Sequence, residues 1–157
     1  MIKQALNQGV HGIILCHAET PGVVKALVET CRYSHQTIGV GDQIGQGRRG
    51  HSGQSTTADV WGISANKYLE GANVWPLNPN GELLLGIKIE NQRALANAEA
   101  TVAVPGVGYA EWGAGDMAMS FGYPEGHDPP YAAEVWQAAE RVRLARKAAD
   151  VPFPWTW

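Results

Sequence analysis

A parallel α/β fold is predicted by three features of this 157-residue chain. The first is the nearly continuous apolar run Leu83–Ile89, the pattern of a strand buried on both faces of a parallel sheet. The second is its sequel, a helical repeat at Leu95, Ala98 and Val102 followed by another apolar strand over residues 107–112. The third is the early order helix, strand, helix with short connections, which requires parallel pairing.

In chain order, Ile2, Ala5 and Leu6 share one helical face and Gly9 closes that helix. Residues 10–16 form an apolar strand interrupted by His11 and Gly12, with His17, Ala18 and Glu19 at its carboxyl end. Thr20 caps the next helix and Pro21 takes its first position. Val24, Leu27, Val28 and Cys31 give that helix its buried face.

Residues 34–59 break the alternation with six glycines, two arginines and two histidines. A loop this long in a compact domain is usually functional or disordered. No Gly-Lys-Ser/Thr ends it, so a phosphate-cradling role is disfavoured. A short helix over residues 58–69 follows, anchored by Trp61 and Tyr68, and then a turn-rich approach from Trp75 to Gly81.

The central strand ends in Glu90, Asn91 caps the next helix, and Pro105-Gly106 stops it. The strand over residues 107–112 runs into Gly113-Ala114-Gly115-Asp116. A Pro/Gly loop over residues 123–130 precedes a long helix, residues 131–149, with Val135, Ala139 and Val142 inward. Its arginines and Lys147 gather in the last turns, where the helix dipole favours them, and read as a solvated face. Residues 151–153 form an edge or a tail, since Pro152 and Pro154 exclude a central strand. Trp155-Thr156-Trp157 reads as a chain end or a contact anchor.

In a β-α-β unit both strands point the same way, so Glu90 and Asp116 emerge at one carboxyl edge, where parallel α/β folds put their chemistry. Two such carboxylates repel unless a cation lies between them or one is protonated. Oxygen donors suit a hard divalent ion, Mg²⁺ or Mn²⁺, with Co²⁺ also able to bind. The plainer reading is that Glu90 and Asp116 cap a helix and a turn. His17 shares this edge as a base, a ligand or an ordinary rim residue, while Glu19 suits a helix entrance. Alternation puts Lys88 on the side of Glu90.

The wording Ile89-Glu90, Pro105-Gly106-Val107 and Gly113-Ala114-Gly115-Asp116 resembles the HpcH/HpaI family of metal-dependent 2-oxo-acid aldolases, in its macrophomate synthase-like branch. The resemblance spans residues 2–153 and includes Arg32-Tyr33 and Arg48-Arg49-Gly50 of the glycine-rich loop. It implies a partial TIM (β/α) barrel lacking the N-terminal part. It implies that Glu90 and Asp116 bind a divalent metal and that the Gly115 and Asp116 amides hold the carboxylate of a pyruvate-like substrate. It places this loop at the border of the site and of subunit contacts, where Arg49 or His51 touches an acidic substrate or, equally, the loop is simply solvated. The family's oxo-acid-binding arginine and its Asp/His base precede the matching segment, so no residue here inherits them. Lys88 departs from the glutamine that many relatives carry, and Schiff-base chemistry at it conflicts with a metal-dependent family.

The function expected is therefore carbon–carbon lyase activity on a 2-oxo acid through a metal-stabilised pyruvate enolate. The alternatives are a non-catalytic partial barrel serving as an assembly subunit, or metal-dependent oxaloacetate decarboxylation. A net charge of −3 with no basic stripe argues against nucleic acid. No apolar run approaches the roughly 18 residues of a membrane span, and no leader opens the chain. The two cysteines lack metal-site spacing and read as buried free thiols in a single-domain (1–157), cytoplasmic protein. Unpaired strand edges predict a homo-oligomer or pairing with a complementing chain.

Overall fold

The computed structural model describes residues 1–152 and builds a four-stranded, wholly parallel sheet around β3 (Leu83–Ile89). β1 (Gly12–Leu15) pairs along one side of it, Gly12 opposite Leu84 and Leu15 opposite Ile87. On the other side β2 (Val74–Trp75) covers the first residues of β3, and β4 (Tyr109–Trp112) covers Gly86 to Ile89. The strand predicted over residues 107–112 thus begins at Tyr109. β2 falls in a stretch whose prolines and asparagines read only as turns.

Around the sheet lie α1 (Ile2–Asn7), α2 (Pro21–Cys31), α3 (Gln54–Trp61), α4 (Ala65–Gly71), α5 (Gln92–Ala96), α6 (Ala98–Val102), α7 (Ala114–Ser120) and α8 (Ala133–Ala148). α2 begins as its sequence dictates: Thr20 Oγ1 accepts from Val23 N–H at 3.4 Å and Pro21 occupies the first turn. Two predicted helices are each broken in two. Gly62, at φ 69°, ends α3 in the left-handed region, and Ser64 caps α4. Asn97, at φ −111° and ψ 12°, separates α5 from α6.

The helices cover one face of the sheet. Leu83, Leu85, Ile87 and Ile89 alternate onto that face and are all but fully buried. Each such side chain contributes about 1.5–3 kcal/mol by leaving water. Val28, Val102 and Val142 meet them from α2, α6 and α8 in one core cluster. The other face is open, with Ile14 at 39%, Leu84 at 39% and Trp75 at 37% exposure. The expectation of a β3 strand buried on both faces is therefore corrected: its continuous apolar run serves one packed face and one uncovered face. Cys16, read as a buried thiol, lies exposed beyond the end of β1, whereas Cys31 is buried.

Tyr33 and Arg49 form a parallel bridge that pins the glycine-rich loop to the end of α2. Arg49 N–H donates to Arg32 O at 2.8 Å, and Arg48 N–H to Glu29 O at 2.7 Å. At the chain's end, Ala110 N–H donates to Pro152 O at 3.3 Å, so residues 151–152 run along the free edge of β4 as a tail. Phe153 and the Trp155-Thr156-Trp157 anchor lie outside the described residues. Among the described residues no helix is long and apolar enough to cross a membrane.

Candidate metal centre

Parallel pairing brings the ends of β1, β3 and β4 to one edge. The β1–β3 ladder continues past both strands: Ala18 N–H donates to Lys88 O at 3.2 Å, and His17 N–H to Glu90 Oε1 at 2.7 Å. On the other side Gly113 N–H donates to Ile89 O at 3.2 Å, after which α7 begins and carries Asp116 in its first turn. The β-α-β logic of the sequence thus delivers Glu90 and Asp116 to a common place. His17 joins them, and ligand atoms of the three residues all lie within 4.8 Å of one another.

Glu90 is 1% exposed, and its Oε2 accepts no hydrogen bond. Its nearest counter-charge is Lys88 Nζ at 3.4 Å, and Lys88 also lies 3.7 Å from Glu111 Oε1. Burial by itself lowers the Lys88 pKa, but Glu90 and then Glu111 outweigh it and leave the amine above its ordinary value. A lysine held protonated is a poor nucleophile, which disfavours Schiff-base chemistry at Lys88.

Glu90, Asp116 and Glu111 against Lys88 leave two net negative charges, which one divalent cation neutralises. The residues therefore fit such an ion: a buried carboxylate oxygen without a hydrogen bond, a second carboxylate in an exposed helical turn, and matching charge. Gly113 is required here. A Cβ on it would stand 2.6 Å from Glu90 Cβ, 2.7 Å from Glu90 Oε2 and 2.9 Å from Lys88 Cε.

The amides of Gly115 and Asp116 belong to the first turn of α7, where backbone N–H groups have no helical acceptor and face the same edge. Three further contributors escaped sequence reasoning. Glu111 shares the open face with Lys88, and alternation along β4 from Gly113 was enough to find it. Asn91 does more than cap α5 through Ala94 N–H at 2.8 Å. Its Nδ2 lies 3.1 Å from His17 Nδ1 and donates to Glu19 Oε1 at 3.1 Å. Cys16 lies near Glu90, and its pKa is raised by burial and by the Glu90 charge.

Arg49 does not reach this rim. It is 3% exposed, donates to Asn7 Oδ1 at 3.1 Å and to the Tyr68 hydroxyl, and stacks over the Tyr33 ring at 4.5 Å. Its place at the border of the site is therefore corrected: a guanidinium clamped between two tyrosines and cut off from solvent is structural. His51 stays exposed and within hydrogen-bonding distance of Gln54, its neighbour in sequence.

Known proteins resemble the chain as a whole. A profile of the HpcH/HpaI aldolase/citrate lyase family matches residues 1–153. The 2-keto-3-deoxy-L-rhamnonate aldolase of Klebsiella pneumoniae is 30% identical over 151 residues, covering 95% of this chain and 49% of that protein. Its counterpart in Salmonella schwarzengrund is 28% identical over 150 residues, again with 49% of the relative covered. Among solved structures, an HpcH/HpaI aldolase/citrate lyase family protein of Burkholderia cenocepacia superposes with a TM-score of 0.76 at 26% identity, over 97% of this chain and 52% of that one. Macrophomate synthase superposes with a TM-score of 0.66 at 21% identity, over 97% of this chain and 47% of that one, a likeness of fold. The chain spans about half the length of the curated relatives it matches.

Proposed function

Because the chain belongs to the HpcH/HpaI aldolase/citrate lyase family, we propose that it contributes the metal-binding half of a carbon–carbon lyase acting on a 2-oxo acid. The observation that carries this reading is the buried Glu90 carboxylate, whose Oε2 accepts no hydrogen bond and faces Lys88 Nζ at 3.4 Å, beside Asp116 at the shared strand edge. Glu90 and Asp116 hold a divalent cation, Mg²⁺ or Mn²⁺, with Co²⁺ as a substitute. When bound, such an ion would supply Lewis-acid polarisation of a 2-oxo acid and charge stabilisation for its enolate. The Gly115 and Asp116 amides orient the substrate carboxylate. Lys88, balanced by Glu111, adds a fixed positive charge beside the pair. The arginine and the base of the reaction are assigned to no residue of 1–157.

The open face supports one more element of the reading. Ile14, Leu84 and Trp75 are exposed on the side that further barrel strands would cover. We place the protein in the cytoplasm as a homo-oligomer, or paired with a complementing chain, and expect weak aldol cleavage from the isolated chain.

Calorimetric titration of Mn²⁺ into wild type and Glu90→Gln tests the site. The substitution removes the charge and keeps the shape, so affinity should fall at least tenfold, the scale of perturbing a metal site's supporting groups. Equal affinity in the two proteins would overturn the assignment. Oxalate, a mimic of the oxo-acid, should bind only once the metal is present, and equal binding without metal would reject the carboxylate site.

A further inference from the structure

We infer that His17 is a third protein ligand of the divalent ion, so that the site is one imidazole with two carboxylates and favours borderline ions over Mg²⁺. The inference rests on the reading of Glu90 and Asp116 as metal ligands and goes beyond it.

Strict alternation along β1 would place His17 with Ile13 and Leu15 on the helix-packed face. It does not lie there. His17 adopts φ 49°, one of two described non-glycine residues with positive φ, and this left-handed turn takes the side chain out of the alternation. Two contacts hold the turn in place. His17 N–H donates to Glu90 Oε1 at 2.7 Å, and Asn91 Nδ2 lies 3.1 Å from the imidazole Nδ1. The ring consequently stands beside the carboxylate, with Nδ1 3.8 Å from Glu90 Oε1.

Two donors on one ion, each about 2.1 Å from it, lie roughly 3–3.5 Å apart. The His17, Glu90 and Asp116 donors already lie within 4.8 Å of one another. The closure still needed is small and falls on His17 and Asp116, both exposed, while buried Glu90 stays fixed. Glu90 itself offers a buried carboxylate whose Oε2 accepts no hydrogen bond and has Lys88 Nζ at 3.4 Å as its counter-charge. Imidazole binds Mn²⁺, Co²⁺ and Zn²⁺ better than it binds Mg²⁺, which prefers oxygen and retained water. His17 thus turns a hard oxygen site into a mixed one.

The test uses His17→Asn, which keeps the tolerance for positive φ, alongside Glu90→Gln and wild type. Each protein is titrated calorimetrically with Co²⁺ and with Mg²⁺. Pulsed electron paramagnetic resonance of the Cu²⁺-loaded proteins then reads imidazole nitrogen coupling directly. Wild type should show that coupling and His17→Asn should lose it. Co²⁺ affinity should fall at least tenfold in His17→Asn, with Mg²⁺ affinity changed less than about twofold. Nitrogen coupling that survives in His17→Asn, or an unchanged Co²⁺ affinity, would overturn the inference, leaving the carboxylate site intact provided Glu90→Gln still loses metal. If Glu90→Gln binds Co²⁺ like wild type, the carboxylate site itself is wrong and the third ligand falls with it.

Discussion

Gly113→Ala probes the centre through a single methyl group. Gly113 has φ −95° and ψ 97°, a conformation open to any residue, so the backbone itself imposes no penalty. The added Cβ would instead lie 2.6 Å from Glu90 Cβ and 2.7 Å from Glu90 Oε2. Comfortable contacts between such atoms begin near 3.5 Å. Rotation can withdraw the carboxylate, but Glu90 Cβ is fixed by β3, so the strands must shift by some tenths of an ångström. Overpacking of this kind costs about 1–3 kcal/mol. For a chain of this size each kcal/mol lowers the midpoint by roughly 2–4 °C, which predicts a fall of about 2–12 °C in a thermal melt. Because the displaced group is the proposed ligand, Mn²⁺ affinity by calorimetry should drop about tenfold or more. Gly115→Ala is the internal control. Its new Cβ meets only His127 Cβ, at 3.4 Å, and alanine improves a helix by up to about 1 kcal/mol, so its melting point should hold or rise. A Gly113→Ala protein with wild-type melting and wild-type Mn²⁺ affinity would refute the geometry of the Glu90–Gly113 approach.

Two further outcomes are expected. The Cys31 thiol is pushed from 9.0 to about 12, chiefly by burial and against the opposing Arg49 charge, and Tyr33 from 10.0 to about 12, again chiefly by burial. In both cases the unfolded chain loses its proton first. Stability is therefore whole below pH 9 and declines towards pH 12, at up to about 1.4 kcal/mol per pH unit for each group. Urea denaturation at pH 9 and pH 10 should show the first part of this decline in wild type and a smaller one in Cys31→Ala, where only the Tyr33 share remains, and a flat wild-type profile would contradict it. Light scattering on dilute protein should report an oligomer, whereas a monomer melting cooperatively would show that the open face needs no cover.

The parts of the site legible in the sequence were those fixed by periodicity and direction. Glu90 and Asp116 meet because two parallel strands must end on the same edge, and Lys88 follows by alternation from Glu90. His17 was legible only as a member of that edge, since its arrival beside Glu90 depends on a left-handed turn for which histidine leaves little signal. The burial of Arg49 comes from Tyr33 and Tyr68, each at least 16 residues away in sequence, so no local pattern announces it. The open face is harder still. An apolar strand reads the same whether its second face is packed or waiting, and Leu84 and Ile14 differ from Leu85 and Ile13 only in which face they take.

That open face bears on the chemistry as well as on stability. Lys88 is compensated by Glu111, so the lysine does not cancel the charge that the Glu90–Asp116 pair presents to a cation. Asp116 and His17 are nevertheless exposed, and water beside them keeps the local dielectric high. The same pair attracts a cation several times more strongly once solvent is excluded, because the Coulomb energy rises as the effective dielectric falls from near 80 towards about 20. Cover over Ile14, Leu84 and Trp75 would bury apolar surface and dry the metal centre in one step. On the proposed reading, assembly and catalysis are therefore coupled: whatever closes the face also tightens the cation at Glu90 and Asp116. Metal affinity should accordingly rise with protein concentration over the range in which the oligomer forms.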